Sequence, residues 1–285
     1  VTTSPTRAGL GRAPVSAPVG PRPPGRGSAS ARTVSLGLFG IVLSLLAWEL
    51  LPRTPATDPQ YLPPASTVLA TLAERAATAQ FWGAVGDTVL AWGLGLVIAS
   101  AAATLLGLVV GSVPLLRAYT ASTVEFLRPI PSVALIPLAI LLYGTDIRST
   151  LLLVVYAAFW QVYVQVLHGV ADVDPVAEET ARSYRLGRLA RIRYLIWPTA
   201  MPYLLTGLRL GAAVALILTI TAQLVIGSPG LGQEIAVAQS SGAPDVVYAL
   251  IVATGVLGVL VNTGVRAVER RVLHWHPSVR GEVPA

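Results

Sequence analysis

The residues of this chain that could do chemistry gather in one polar stretch, Asp174-Pro-Val-Ala-Glu-Glu-Thr-Ala-Arg-Ser-Tyr-Arg-Leu-Gly-Arg-Leu-Ala-Arg-Ile-Arg-Tyr-Leu-Ile-Trp-Pro198. It sets Glu178, Glu179 and five arginines between long apolar blocks. Charges so arranged make ion pairs and suit either a solvated loop or a surface for a partner; they do not make a catalytic set. No Ser-His-Asp set, HExxH pair or paired midplane carboxylates stand out elsewhere. The chain has no cysteine, which excludes disulfides, thiolate metal sites and cysteine nucleophiles. His168, His274 and His276 form no ligand set, and the last two read as a solvated or headgroup-facing tail. All twenty basic residues are arginine, so a phosphate-binding loop of the Walker A type, which needs lysine, is excluded. Any ATP hydrolysis belongs to another polypeptide, and neither cofactor nor metal is expected.

The elements that must carry this stretch are membrane helices. Hydrophobic residues make up 54% of the 285 positions and charged residues only 12%, against about 25% charged in soluble proteins. The apolar excess falls in blocks near the roughly 20 residues that one spanning helix needs. Residues 1–33, rich in Pro, Gly, Ser and Arg, cannot bury enough surface to offset ordering and read as a disordered tail. A transmembrane domain is expected over 34–270, and a short tail over 271–285. Spans are expected near 34–51, 85–110, 126–143, 150–170, 204–226 and 246–265. Gly86, Gly93, Gly95 and Gly107 would let the second span pack closely. Pro129, Pro131 and Pro137 predict an irregular third span, and residues 66–79 a short amphipathic helix with Val68, Leu69 and Leu72 on one side.

Arginine placement sets the orientation. With the N-terminus inside, five fall in the N-terminal tail, two in the loop before the third span (Arg117, Arg128), five in 174–198 and four at the C-terminus. Only Arg53, Arg75 and Arg148 fall on the other side, with Arg209 near the start of the fifth span. Sixteen against three is a strong positive-inside bias, so both termini and the long loop are expected in the cytoplasm. The net charge of +6 therefore reflects topology, and no nucleic-acid partner is expected.

Within the loop, Asp174-Pro175 is a helix start, since aspartate caps free amides and proline suits the first helical position. Arg182 lies four after Glu178 and three after Glu179, spacings that allow ion pairs with both. Gly187 predicts a left-handed residue that stops the first helix, and a second amphipathic piece runs from Arg188 to Trp197.

Glu179 and Pro198, nineteen apart, give this loop the spacing of the "EAA" loop of ABC-importer permeases, which it resembles. After Pro198, Thr-Ala-Met-Pro-Tyr-Leu-Leu-Thr-Gly-Leu-Arg-Leu-Gly-Ala is similar to the continuation in the nitrate, sulfonate and taurine importer branch. So, in order, are Trp48-Glu49, Leu62-Pro-Pro-Ala-Ser-Thr-Val-Leu69, Arg128-Pro-Ile-Pro-Ser-Val-Ala-Leu-Ile-Pro-Leu138, Gly230-Leu-Gly232 and Glu269-Arg-Arg-Val-Leu-His-Trp275. The resemblance covers about 36–275. It implies an all-α polytopic membrane protein of six transmembrane helices with the type I importer permease (MetI-like) fold. It also implies two copies of an ABC ATPase subunit, an extracytoplasmic solute-binding protein, a second copy of the chain and a place in the bacterial inner membrane. The coupling contact would involve Glu178, Glu179, Ala181, Arg182, Arg185, Leu186, Gly187 and Pro198, with Glu179 the first candidate. One departure stands out: the family's loop glycine falls six after the glutamate, where this chain has Arg185.

Polar residues within spans are costly and suspected of function. Gln161 and Gln165, four apart on one face, together with Thr219 and Gln223, could line a translocation path or bond to neighbouring helices. Glu49 suits an anchor, Asn262 a packing contact and Arg209 snorkelling. A secondary transporter or channel acting alone would call for coupling carboxylates or an internal repeat, and neither is seen. An integral-membrane enzyme would need the clustered acid, base or metal set that is missing. The branch points to an anion such as a sulfonate, taurine or nitrate.

Overall fold

The computed structural model describes residues 26–54 and 61–274, with side chains from Leu36 onward. Most of the expected N-terminal tail and all but the start of the C-terminal one lie outside that range. Two compact units divide at Trp48. The first is described as one helix, α1 (Arg26–Leu50), which starts eight residues before the expected Val34. Ala29, Ala31 and the arginines of 26–33 have high helix propensity and extend the apolar helix upstream, to just after the last proline of the tail sequence at 24.

The second unit begins at Glu49. A single 3₁₀ turn (Leu51–Arg53) is followed by α2 (Ala65–Ala76), α3 (Ala79–Ser112), α4 (Pro114–Leu127), a 3₁₀ turn at Ser132–Leu135 and α5 (Ile136–Tyr143). Then come α6 (Ile147–Ala171), α7 (Pro175–Ser183), α8 (Arg188–Arg191), α9 (Trp197–Ile226), α10 (Leu231–Ser240) and α11 (Pro244–Val272). On α2, Val68 is buried and Leu72 packs against the core, whereas Leu69, one residue round the helix from Val68, faces outward and leaves the stripe expected of it.

Among the described residues, five stretches are long and apolar enough to cross a membrane: Leu36–Arg53, Ala79–Ser112, Ile147–Ala171, Arg188–Ile226 and Pro244–Val272. The sixth crossing follows from helix direction. A Cβ on Gly95 would meet Val154 at 2.5 Å, one on Gly107 would meet Val166 at 2.7 Å, and one on Gly111 would meet Val170 at 2.9 Å. Partner numbers rise together, so α3 and α6 are parallel, and the chain between them must return to the other side. It does so through α4 and the 132–143 segment, bent by 80°. Pro129 and Pro131 lack the N–H groups that would continue a helix through the bend. Arg128 consequently sits at this break, not in the loop where the arginine count places it.

Small residues make the core. Ala99, Ala157, Ala158, Ala212 and Ala215 are buried where α3, α6 and α9 meet, and Gly207 and Gly211 press on Val162 of an antiparallel α6. Such close approach is how helices gain van der Waals contact in lipid. Gly86 and Gly93, by contrast, face open space.

One end of this unit carries the α6–α9 connection and the C-terminal end of α11, where Arg209 lies 3.7 Å from Glu269. The other carries α2, α10 and the start of α11, joined by Gln80 to Glu234 at 2.9 Å and Thr71 to Asp245 at 3.4 Å. Glu49 there accepts the Ser66 N–H at 2.9 Å and pairs with Arg53, the anchoring expected of it.

Candidate coupling site

The connection between α6 and α9 folds as a hairpin of short helices. Asp174 accepts the Val176 N–H at 2.8 Å and starts α7, with Pro175 in the first turn. Tyr203 of α9 donates to Asp172 at 2.8 Å, tying the start of the loop to the neighbouring span. Ala181 is buried, and α7 ends two residues after it. The Leu186 N–H bonds to the Ala181 carbonyl and the Arg185 N–H to the Arg182 carbonyl, both at 2.9 Å. That pair of bonds is a Schellman turn, which requires a left-handed residue between them.

The left-handed residue is Arg185, with φ of 57°, and not Gly187 as expected. Gly187 has φ of −62° and ψ of 160°, extended backbone open to any residue, and begins α8. The burial of Ala181 fixes where α7 stops, and counting from there puts the turn at 185. Arg185 thus holds the turn at the position where the resembled loop has its glycine.

Glu178 is the inner fastener. It accepts from Arg182 at 2.9 Å and from Arg191, which bridges α7 to α8. Arg182 was expected to serve both glutamates, but Glu179 is exposed and has no ion-pair partner among the described residues. Arg191, thirteen residues on, has no helical spacing to Glu178, so only the closed hairpin reveals the pair. Leu186 is half-buried, whereas Arg182, Arg185 and Gly187 are exposed.

Beyond α8 the expected separate helix ending at Trp197 does not form. A π-helical stretch, Ile192–Ile196, runs directly into α9, the Trp197 N–H reaching the Ile192 carbonyl. Pro198 cannot donate to Tyr194, nor Pro202 to Pro198, and the wider turn re-pairs the backbone around that loss. Half-buried Pro198 therefore lies inside one continuous apolar stretch, Arg188–Ile226.

The other candidate residues lie deeper. Gln161 and Gln165 are half-buried on α6 beside Gly207. Thr219 is buried and bonds to the Ala215 carbonyl at 2.8 Å. Gln223 is also buried, accepting from Thr88 at 2.9 Å and Gly232 at 3.3 Å and donating to Pro229 at 3.0 Å. Its whole amide fastens the turn after α9.

Residues 95–274 match the family model of the binding-protein-dependent transport system inner membrane component. This chain belongs to that family. The permease is 32% identical over 255 residues to the taurine transport system permease protein TauC of Escherichia coli, covering 88% of this chain and 93% of that protein. It is 28% identical to the putative aliphatic sulfonates transport permease protein SsuC of Bacillus subtilis, over 86% and 89% of the two chains. In fold the permease is similar to a chain of a bacterial ABC transporter involved in the import of alginate, with TM-score 0.60 at 15% identity, covering 86% and 99% of the chains. A chain of an amino acid ABC transporter gives TM-score 0.57 at 20% identity, with 70% and 98% covered. The permease is thus a transport subunit of the inner membrane with the importer fold its loop suggested.

Proposed function

We propose that this permease works as a pair of identical copies, each docking one ATPase subunit on its 174–198 hairpin. A separate binding protein delivers solute to the opposite end, at α2, α10 and the start of α11. Both termini and the hairpin are then cytoplasmic. Closure of the ATPase pair moves the hairpins, and rigid-body motion of the spans alternates access to the path.

One observation carries the docking role. The hairpin exposes Val176, Tyr184 and Leu189 at 68%, 79% and 80% beside Glu179, which has no ion-pair partner among the described residues. Exposed apolar side chains within a charged rim are the composition of an interface. Glu178, committed to Arg182 and Arg191, holds the shape, and Glu179 supplies the contact. The solute class follows the relatives: a small organic anion related to taurine or the aliphatic sulfonates. Half-buried Gln161 and Gln165 remain candidates for the path, whereas Thr219 and Gln223 serve its walls.

The experiment is purification of the tagged full chain from its host in mild detergent. An ATPase with a lysine-bearing phosphate loop, at one copy per permease, is expected, and Glu179→Ala lowers its recovery several-fold. A chain that purifies alone and moves solute without ATP overturns the reading.

A further inference from the structure

Glu125 and Arg128 lie at a depth where a bilayer accepts no charge facing lipid. Their neighbours establish that depth. Thr120 lies beside Tyr163, Val124 packs on the cluster containing Val162 and Tyr163, and the Tyr156 hydroxyl donates to the Leu127 carbonyl at 2.6 Å. Partner numbers fall as α4 rises, so α4 climbs antiparallel to α6. Tyr156 is the tenth of the 25 residues of α6, about 14 Å from one end and about 22 Å from the other at ~1.5 Å per residue. Leu127 sits at that level, Arg128 follows it, and Glu125 is three residues earlier on the same face. In a hydrocarbon layer about 30 Å thick both charges are near the middle. Both residues are exposed, and neither has an ion-pair partner among the described residues. Such a face has to be covered by protein or by water.

Two further features converge here. The span breaks at Arg128 with its 80° bend, and broken backbone at depth belongs beside protein or a watered cavity, often a solute site. An open groove of about 720 Å³ also runs along α6, reaching Leu127, the chain neighbour of Arg128, with Trp160 inward, Tyr156 and Phe159 on its wall, and Arg148 toward the other end. Arg148 is the single charged residue lining it, though it lies 3.8 Å from Asp146.

We propose that Arg128 is a solute-binding residue of the translocation path, taking the charged end of an organic sulfonate or carboxylate at the broken span. The solute's apolar body lies against Tyr156, Phe159 and Trp160, and Arg148 is the first cation it meets. A guanidinium presents forked donors that match such oxyanions. Glu125 supplies the counter-charge when solute is absent and keeps its hold weak enough for release. This deepens the permease reading and rests on it.

Absence of cysteine makes a clean test, because single-cysteine variants of the full chain carry no background. Glu125→Cys and Val97→Cys are compared in lipid nanodiscs. The parallel packing of α3 on α6 sets Val97, itself exposed, at the height of Tyr156. The probes are the membrane-impermeant 2-sulfonatoethyl methanethiosulfonate and its cationic trimethylammonium analogue. Glu125→Cys is expected to react with the sulfonate at least about tenfold faster than Val97→Cys. Its sulfonate-to-ammonium rate ratio should fall about tenfold with Arg128→Gln and survive Arg128→Lys. Added benzenesulfonate should protect Glu125→Cys at lower concentration than nitrate does. Equal rates at the two cysteines, a ratio indifferent to Arg128, or protection by nitrate at least as good as by benzenesulfonate each overturns the proposal. If the ATPase co-purifies while Glu125→Cys stays inert, the permease reading stands and only this site falls.

Discussion

The two ends of α9 are built on opposite principles. At one end, Ser228, Gly230, Leu231 and Gly232 are buried among polar partners: Gln223 fastens the turn from below, Thr88 accepts the Leu231 N–H at 2.9 Å, and Ser228 meets Thr150 at 2.7 Å. At the other, the α7–α8 hairpin holds its form by one Schellman turn and the Glu178 bridge, with much of its surface exposed. The first turn leaves no room to move, because removing any partner strands a buried polar group. The second turn is held by few contacts and keeps much of its surface exposed. Under the proposed coupling role, the exposed end is the one that moves and the fastened end is the one that holds.

The largest break in that contrast is expected at Gly232. A Cβ there would sit 2.6 Å from the Gln223 Cβ and 2.7 Å from the Leu224 N, and would also strike the Ile220 carbonyl. Backbone atoms cannot rotate away, so Gly232→Ala should cost about 3 kcal/mol. Thermal unfolding in detergent should show a large drop in midpoint or loss of the monodisperse protein. An unchanged midpoint would mean that the turn is not locked.

Gln223→Leu comes next. It keeps the volume but strands the Pro229 carbonyl and the Gly232 N–H, with an expected loss of about 2 kcal/mol. This variant also separates two roles for the residue, since a path ligand would lose transport with stability intact, and a fastener loses stability first.

How much of this was readable beforehand differs between the ends for a physical reason. Apolar blocks announce spanning helices because the bilayer demands length, so α3, α6 and α11 lie close to their expected ranges. Which face of such a helix packs is hidden, because residues apolar all round give no periodic signal. Gly95 and Gly107 touch α6, whereas Gly86 and Gly93 of the same helix touch nothing. The positive-inside tally puts Arg128 in the loop before the third span, because a charge is assigned to water by default, whereas Pro129 and Pro131 beside it already announce the irregular span in which it sits. The Asp174 cap and the Glu178–Arg182 pair were legible because both act over four residues or fewer. The Glu178–Arg191 bridge and the network around Gln223 depend on how the chain closes, and composition does not encode that.

The smallest effects sharpen the contrast most, since they fall in the exposed hairpin where packing does not dominate. Arg185 occupies the left-handed region, which costs a side chain with a Cβ about 1 kcal/mol relative to glycine. Arg185→Gly should therefore stabilise the folded hairpin, offset partly by the greater freedom of the unfolded chain. Gly187→Ala meets extended backbone and no atom within 4 Å of its Cβ, so it should shift stability by no more than about 0.5 kcal/mol. Amide hydrogen exchange of 181–191 in the full chain reads both directly, with slower exchange expected for Arg185→Gly and little change for Gly187→Ala. The reverse ranking would return the left-handed position to Gly187 and move the end of α7 away from the buried Ala181. If the order holds, the glycine visible in the sequence is the dispensable one, and the arginine beside it bears the strain of the turn.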